Sequence, residues 1–176
     1  MKVLLVGPQG SGKSTQAKLL AEYLNIPTVE TGQIFRDLSE DETKLGKRIK
    51  GLISKGEMVD DDTTRELVKK RVAQDDCQDG FVMNGYPRSL RQLEIFDPGF
   101  DKVFYLVVSD QEVKNRLLKR GREDDTEEGI NKRLELYYQM TEPMLEHYKN
   151  SGILEEINGV GEIADIQKKL REKVNG

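Results

Sequence analysis

The sequence predicts an α/β fold in which a parallel β-sheet lies between two layers of helices. Two observations carry that prediction. Five short apolar runs alternate with stretches of helical periodicity, the order that builds parallel strands joined by crossover helices. The first run, Lys2 to Val6, is continuously apolar from Val3, as a strand buried on both faces requires, and it opens into a glycine-rich turn, Gly7 to Gly12.

The elements follow in order. After the turn, Ala17, Leu19, Leu20, Ala21 and Leu24 give a helix its apolar face, and Pro27 stops it. Thr28 to Glu30 reads as the second strand, and Thr31 is placed to cap a helix through Ile34, Phe35 and Leu38. Leu45, Ile49, Leu52 and Ile53 recur at helical spacing up to Gly56. Asp60 to Asp62 cap a helix carrying Leu67, Val68, Arg71 and Val72. Phe81 to Met83 is the third strand, ending at Asn84-Gly85, and a helix from Ser89 to Phe96 leads to a turn at Pro98-Gly99. Val103 to Val108 is the fourth strand, with Ser109 or Asp110 capping the next helix. From near Thr126 the longest helix sets Ile130, Leu134, Tyr137, Thr141, Leu145 and Tyr148 on one stripe, with a kink expected at Pro143. Ile153 to Ile157 is the fifth strand, and Ile163, Ile166 and Leu170 mark a final helix. Residues 30–59 are mostly helical where a crossover needs only one helix, so they read as a subdomain within a single domain, 1–176.

Composition narrows the function. A net charge of −4 argues against a protein built to coat nucleic acid or anionic membrane, so any polyanionic ligand must be gripped by a local cluster of positive groups. With Cys77 the single cysteine and His147 the single histidine, no intrachain disulfide, no structural zinc and no His-rich metal site is expected. Both read as incidental residues at helix ends. The apolar run at the N-terminus is too short for a signal peptide core, and no later run approaches membrane-spanning length. A cytoplasmic monomer is expected.

Gly7-Pro8-Gln9-Gly10-Ser11-Gly12-Lys13-Ser14 matches G-x-x-x-x-G-K-[ST], set between an apolar strand and a helix. Glycines let successive backbone N–H groups point at phosphate oxygens, the helix N-terminus adds its dipole, and Lys13 offers a mobile charge to the β and γ phosphates. Ser14 is placed to put its hydroxyl on Mg²⁺. The fold thus reads as a P-loop NTPase three-layer sandwich. Arginines then recur at strand ends and turns: Arg36 after the second strand, Arg88 after the third, and Arg116, Arg120 and Arg122 before the long helix containing Arg133. Each alone is commonly a solvated charge. Six so placed in an acidic chain point to a second phosphate site.

The blocks GPQGSGKSTQAKLL, TGQIFR, KGEMV, GFVMNGYPRSLRQ, RLLKRGREDDTEE and ILEEING resemble, in order and spacing, the adenylate kinase family along almost the whole chain. The resemblance implies a five-stranded parallel sheet and reversible, Mg²⁺-dependent transfer of the terminal phosphoryl of ATP to AMP. Carried over residue by residue, Gly10, Ser11, Gly12, Lys13, Ser14 and Thr15 would cradle the ATP phosphates, Arg116 and Arg120 would contact ATP, and Gly161 would lie near its adenine. Thr31, Arg36, Ile53, Glu57, Met58, Val59, Gly85, Tyr86, Pro87, Arg88 and Gln92 would hold AMP. Arg122 and Arg133 would clamp the transferring phosphoryl and the AMP phosphate, so that Lys13, Arg88, Arg120, Arg122 and Arg133 form the catalytic set.

The chemistry agrees. An acceptor phosphate with a second pKa of about 6 is ionised at neutral pH and needs no general base. Catalysis then reduces to aligning two mutually repelling anions and neutralising the moving group, a task suited to guanidinium forks. Gln92 has the donor and acceptor to read an adenine edge.

The sequence departs from the family pattern at three places. Ser14 stands where glycine is usual, and Gln33 and Asn84 stand where aspartates that orient Mg²⁺ waters are usual. Direct ligation of the metal by Ser14 is one reading; a neutral substitution at Ser14, with Gln33 and Asn84 still binding the waters, is the other. The third departure is length: only Gly121 separates Arg120 from Arg122 where many members insert a lid, so residues 120–126 read as a vestigial lid loop. Asp125, with Glu128 three residues on, reads as a capping-box variant pinning its far end. Asp124 and Asp125 are either structural or orient Arg122. A UMP/CMP kinase of the same fold and a non-catalytic nucleotide-binding regulator remain the alternatives; Gln92 favours AMP, and the arginine set favours catalysis.

Overall fold

The computed structural model describes residues 1–55, 57–122 and 125–176. Five strands, β1 (Lys2–Val6), β2 (Thr28–Glu30), β3 (Phe81–Asn84), β4 (Lys102–Val107) and β5 (Leu154–Asn158), form one sheet in the order β2-β3-β1-β4-β5. Every pairing is parallel. The helices are α1 (Lys13–Leu24), α2 (Thr31–Ser39), α3 (Lys44–Ser54), α4 (Asp61–Val72), α5 (Leu90–Ile95), α6 (Asp110–Arg120), α7 (Glu127–Leu136), α8 (Glu142–Asn150) and α9 (Ile163–Asn175).

The continuous apolar β1 serves two cores. Val3 and Leu5 face one layer with Ala17, Leu20, Ile166 and Leu170, so α1 and α9 cover that side. Leu4 and Val6 face the other with Val68, Leu93, Met144 and Tyr148, drawn from α4, α5 and α8. This is the pleat's period of two read against two hydrophobic layers. A third cluster, Val113 and Leu117 of α6 with Ile130 and Leu134 of α7, ties the arginine-bearing segments to the body. Such a fully buried aliphatic side chain contributes about 1.5–3 kcal/mol.

Boundaries shift by a residue in β4 and β5, which start or end one position from the expected runs. Other expectations are corrected for physical reasons. Thr31 does not cap α2: the cap position is Glu30, which makes no side-chain cap bond, and the Thr31 hydroxyl donates to the Asn84 carbonyl at 3.4 Å. Asp125 is not the cap of α7, because Thr126 fills that role by accepting from Gly129 N at 3.1 Å. The long helix is broken before Pro143, by a π-turn at Tyr137–Thr141. Pro143 lies in the first turn of α8, where its missing N–H leaves no intrahelical bond unmade. Gly56 and Asp124 lie outside the described residues.

In the segment carrying α2 and α3, Gly46 marks the close contact. A Cβ there would meet the Asp41 carbonyl oxygen at 2.3 Å and that of Leu38 at 2.5 Å, so no other residue fits without moving the backbone. Among the described residues no helix is long and apolar enough to cross a membrane.

Candidate active site

The phosphate loop runs from β1 into α1. Gly10 and Gly12 have φ of 89° and 95°, left-handed values that side chains rarely adopt, and Gly12 occupies the cap position of α1. Ser11 N donates to the Pro8 carbonyl at 3.1 Å. Lys13 Nζ folds back and donates to the same carbonyl at 2.8 Å. Burial pushes the Lys13 pKa down to about 7, Arg88 and Arg120 push the same way, and Glu30 opposes them. Four side chains from β2, the β3–α5 turn, α1 and α6 thus share one electrostatic environment at the C-terminal edge of the sheet. That edge is where open parallel sheets bind ligands.

Arg116 braces the loop. Its Nε donates to Glu112 Oε1 at 2.7 Å, Nη1 to the Ser11 carbonyl at 3.4 Å and Nη2 to the Gly159 carbonyl at 3.0 Å. It thereby ties the phosphate loop to the β5–α9 connection that carries Gly161, which is exposed with φ 123°.

The end of α6 and helix α7 meet at Asp125, whose side chain is fully buried. Its carboxylate takes a two-pronged pair from Arg120, Nε at 2.8 Å and Nη2 at 2.7 Å, then Arg133 Nη2 at 2.9 Å and Arg122 N at 3.2 Å. Hydrogen bonds from Arg120 lead the causes that hold the Asp125 pKa down to about 2, well below the usual carboxylate range. One acid therefore holds the guanidinium groups of two of the expected catalytic arginines, Arg120 and Arg133, and the backbone of a third, Arg122. The sequence leaves Asp125 with either a structural role or the orienting of Arg122; the pairs with Arg120 and Arg133, five and eight residues away, are not foreseen.

On the acceptor side, Arg88 donates Nε to the Gly85 carbonyl at 2.9 Å, and its own carbonyl accepts from Thr141 Oγ1 at 2.9 Å. Arg36 reaches Gln33 Oε1 at 2.8 Å and Glu30 Oε1 at 3.3 Å. Gln92 is buried, with Oε1 accepting from Arg88 N at 2.8 Å and Nε2 donating to Asp61 Oδ1 at 2.8 Å. A backbone N–H can only donate and a carboxylate only accept, so these two partners fix which way the amide points. The sequence marks Asp61 only as part of a helix cap, not as the partner of Gln92.

The remaining expected residues divide. Ile53 and Met58 are among the few exposed large apolar side chains, and Glu57 is exposed, whereas Val59 is buried. Pro87 is buried, and Tyr86 faces the core rather than the cleft. The Tyr86 hydroxyl lies 2.8 Å from the carbonyls of both Gln92 and Phe96, so its side chain shapes α5 instead of touching a ligand. Gly85, φ 92°, leaves room for Thr31: an added Cβ would meet Thr31 Oγ1 at 2.3 Å. Thr15 is exposed in the first turn of α1, and Arg122 is exposed at the end of the lid. Ser14 Oγ accepts from Asn84 Nδ2 at 2.9 Å and lies 3.3 Å from Glu30 Oε1.

Comparison with known proteins gives a consistent answer. The sequence model of the family described as adenylate kinase matches residues 5–153. The chain is 42% identical over 181 residues to an adenylate kinase of Bifidobacterium longum, covering 97% of each. It is 41% identical over 180 residues to that of Thermobifida fusca, covering 96% of this chain and 95% of the relative. Against the adenylate kinase of Clavibacter michiganensis it is 39% identical over 186 residues, covering 99% and 93%.

Proposed function

We propose, since this chain belongs to the adenylate kinase family, a division of labour among its residues for the phosphoryl transfer that family performs. The protein is a nucleoside monophosphate kinase, a phosphotransferase acting on ATP and AMP. Residues Gly10 to Thr15 with Arg116, Arg120 and Gly161 form the donor site. Thr31, Arg36, Ile53, Glu57, Met58, Gly85, Arg88 and Gln92 form the acceptor site, which makes residues 30–59 the acceptor subdomain and 120–126 a minimal lid. Val59, Tyr86 and Pro87 support it from the core.

The observation that carries this reading is the convergence of Lys13, Arg88 and Arg120 on one electrostatic environment at the sheet edge. Held together without a ligand, these cations repel, and two facing phosphate chains resolve that repulsion. Lys13 leaves the Pro8 carbonyl for the donor phosphate. Arg88, Arg36, Arg122 and Arg133 draw in the acceptor phosphate and then spread the charge of the moving group. No proton need be abstracted, since the acceptor is already ionised.

The hard oxygen donors Ser14 Oγ and Glu30 Oε1, 3.3 Å apart, suit Mg²⁺, and Ser14 would hold it. When bound, the ion neutralises charge on the donor phosphates and helps align them. Among the described residues no three acidic, imidazole or thiol groups converge, consistent with a metal carried largely by phosphates and water. The enzyme works as a cytoplasmic monomer without nucleic acid.

Diphosphate formation from ATP and Mg²⁺ with each of AMP, UMP, CMP and GMP tests the assignment, with AMP expected to lead. Arg88→Ala and Arg122→Ala should lower turnover roughly 10³–10⁵-fold. A loss below about tenfold removes them from the chemistry.

A further inference from the structure

In P-loop phosphotransferases the loop's Ser or Thr shares its Mg²⁺ with an acid at the end of a neighbouring strand. Here the strand beside β1 ends on Asn84, which is neutral and uses its amide to donate to Ser14 Oγ at 2.9 Å. One strand further out, the β2–β3 register sets Glu30 directly against Asn84. The Glu30 side chain is only 20% exposed, and its Oε1 accepts a hydrogen bond from Ser14 Oγ at 3.3 Å.

We infer that Glu30 is the anionic protein ligand that, with Ser14, holds the Mg²⁺ brought in with ATP. Three observations converge on it. Neighbouring oxygens around octahedral Mg²⁺ are about 3 Å apart, given metal–oxygen distances of 2.0–2.1 Å, so the Ser14–Glu30 pair reaches that spacing by a shift of a few tenths of an ångström once the Ser14 hydroxyl hydrogen rotates away from Glu30 Oε1. Second, a wall of Lys13, Arg36, Arg88 and Arg120 repels a divalent cation, and Glu30 is the acid whose charge reaches both Lys13 and Arg88. Third, Glu30 Oε1 also accepts from Arg36 Nη2 at 3.3 Å. When an acceptor phosphate draws Arg36 away, that oxygen is released toward the cation, so the acceptor nucleotide tightens the metal. The chain thus supplies from β2 the negative charge that β3 lacks.

The inference rests on direct metal ligation at Ser14, and the test separates the two. Mn²⁺ is titrated into protein saturated with a non-hydrolysable ATP analogue, and free Mn²⁺ is followed by its electron paramagnetic resonance signal. Glu30→Gln and Ser14→Ala should each weaken Mn²⁺ about tenfold. Glu30→Asp, which keeps the charge but withdraws it, should fall between. For Glu30→Gln, affinity for the analogue in EDTA should stay within about twofold, because no residue of the phosphate cradle is changed. If Ser14→Ala weakens Mn²⁺ and Glu30→Gln does not, Glu30 serves only as the counter-ion of Arg36 and the inference is overturned while the Ser14 reading stands. If Glu30→Gln alone weakens it, the Ser14 reading falls, and with it the paired site inferred here. If neither variant changes Mn²⁺ binding, both ideas fail.

Discussion

Lys13 is the residue on which most forces meet. Unfolded, its amine titrates at the ordinary lysine value; in the nucleotide-free fold burial and neighbouring arginines bring it to about 7. The unfolded chain therefore holds more protons between pH 7 and 10.5, and Lys13's contribution to the stability of the free protein rises with pH across that window. A bound phosphate reverses the shift by favouring the charged amine. ATP binding above pH 7 should then take up a proton, approaching one per nucleotide at about pH 8, and affinity should fall by up to about tenfold per pH unit. Calorimetry in two buffers of different ionisation enthalpy measures the uptake; none at pH 8 would mean Lys13 is already charged. Gln92 offers a second prediction at this scale. With one N–H committed to Asp61 and Oε1 committed to Arg88 N, its remaining donor and acceptor match adenine and oppose guanine, whose edge reverses the pattern. Asp61→Ala leaves Arg88 N alone to orient the amide, which lowers the cost of flipping it, and should narrow the preference for AMP over GMP about tenfold in kcat/KM, a ratio that a simple loss of helix stability leaves alone. Asp61→Asn, which retains an acceptor oxygen, should preserve most of it.

At the scale of elements, one buried carboxylate orders the end of α6 against α7. Asp125 joins the end of α6, the lid backbone and α7 through Arg120, Arg122 N and Arg133. Its folded pKa of about 2 lies below the unfolded value of 3.8, so its stabilisation is present above about pH 4 and is lost as pH falls toward 2. Asp125→Asn should remove roughly 2 kcal/mol at neutral pH, lower Tm by about 5 °C and flatten the acid limb of the stability curve between pH 4 and 2. Because the arginines lose their common anchor, kcat should drop more than KM rises. An unchanged acid limb would show that the pair is not formed in solution. The π-turn at Tyr137–Thr141 belongs to the same scale, since it carries the Thr141 hydroxyl that holds the Arg88 carbonyl.

For the whole molecule, the balance of charge is the organising fact. A chain of net charge −4 gathers cations at one sheet edge, so its free state stores local repulsion that only anions relieve. Two adenosines joined by a five-phosphate bridge fill both sites at once. At about 1,000-fold excess over its Kd such a mimic adds about 4 kcal/mol and should raise Tm by roughly 10 °C, read by thermal unfolding with and without the ligand. A shift no larger than ATP alone produces would mean the two sites do not close on one ligand.

The layered fold, the phosphate loop and most arginines were legible in the sequence because each rests on local chemistry: apolar runs at a strand's period, glycines at left-handed positions, charges at strand ends. The cap of α7, the break before Pro143, the inward turn of Tyr86, the pairing of Asp125 with Arg120 and Arg133, and the parts played by Asp61 and Glu30 were not. Each of those depends on groups brought together from separate elements, such as Glu30 against Ser14 or Asp61 against Gln92. The sequence alone determined that this protein grips nucleotide phosphates and transfers between them. Only the tertiary structure decided which acids aim those cations, because a carboxylate chooses its partner by distance in space, and spacing along the chain carries no record of it.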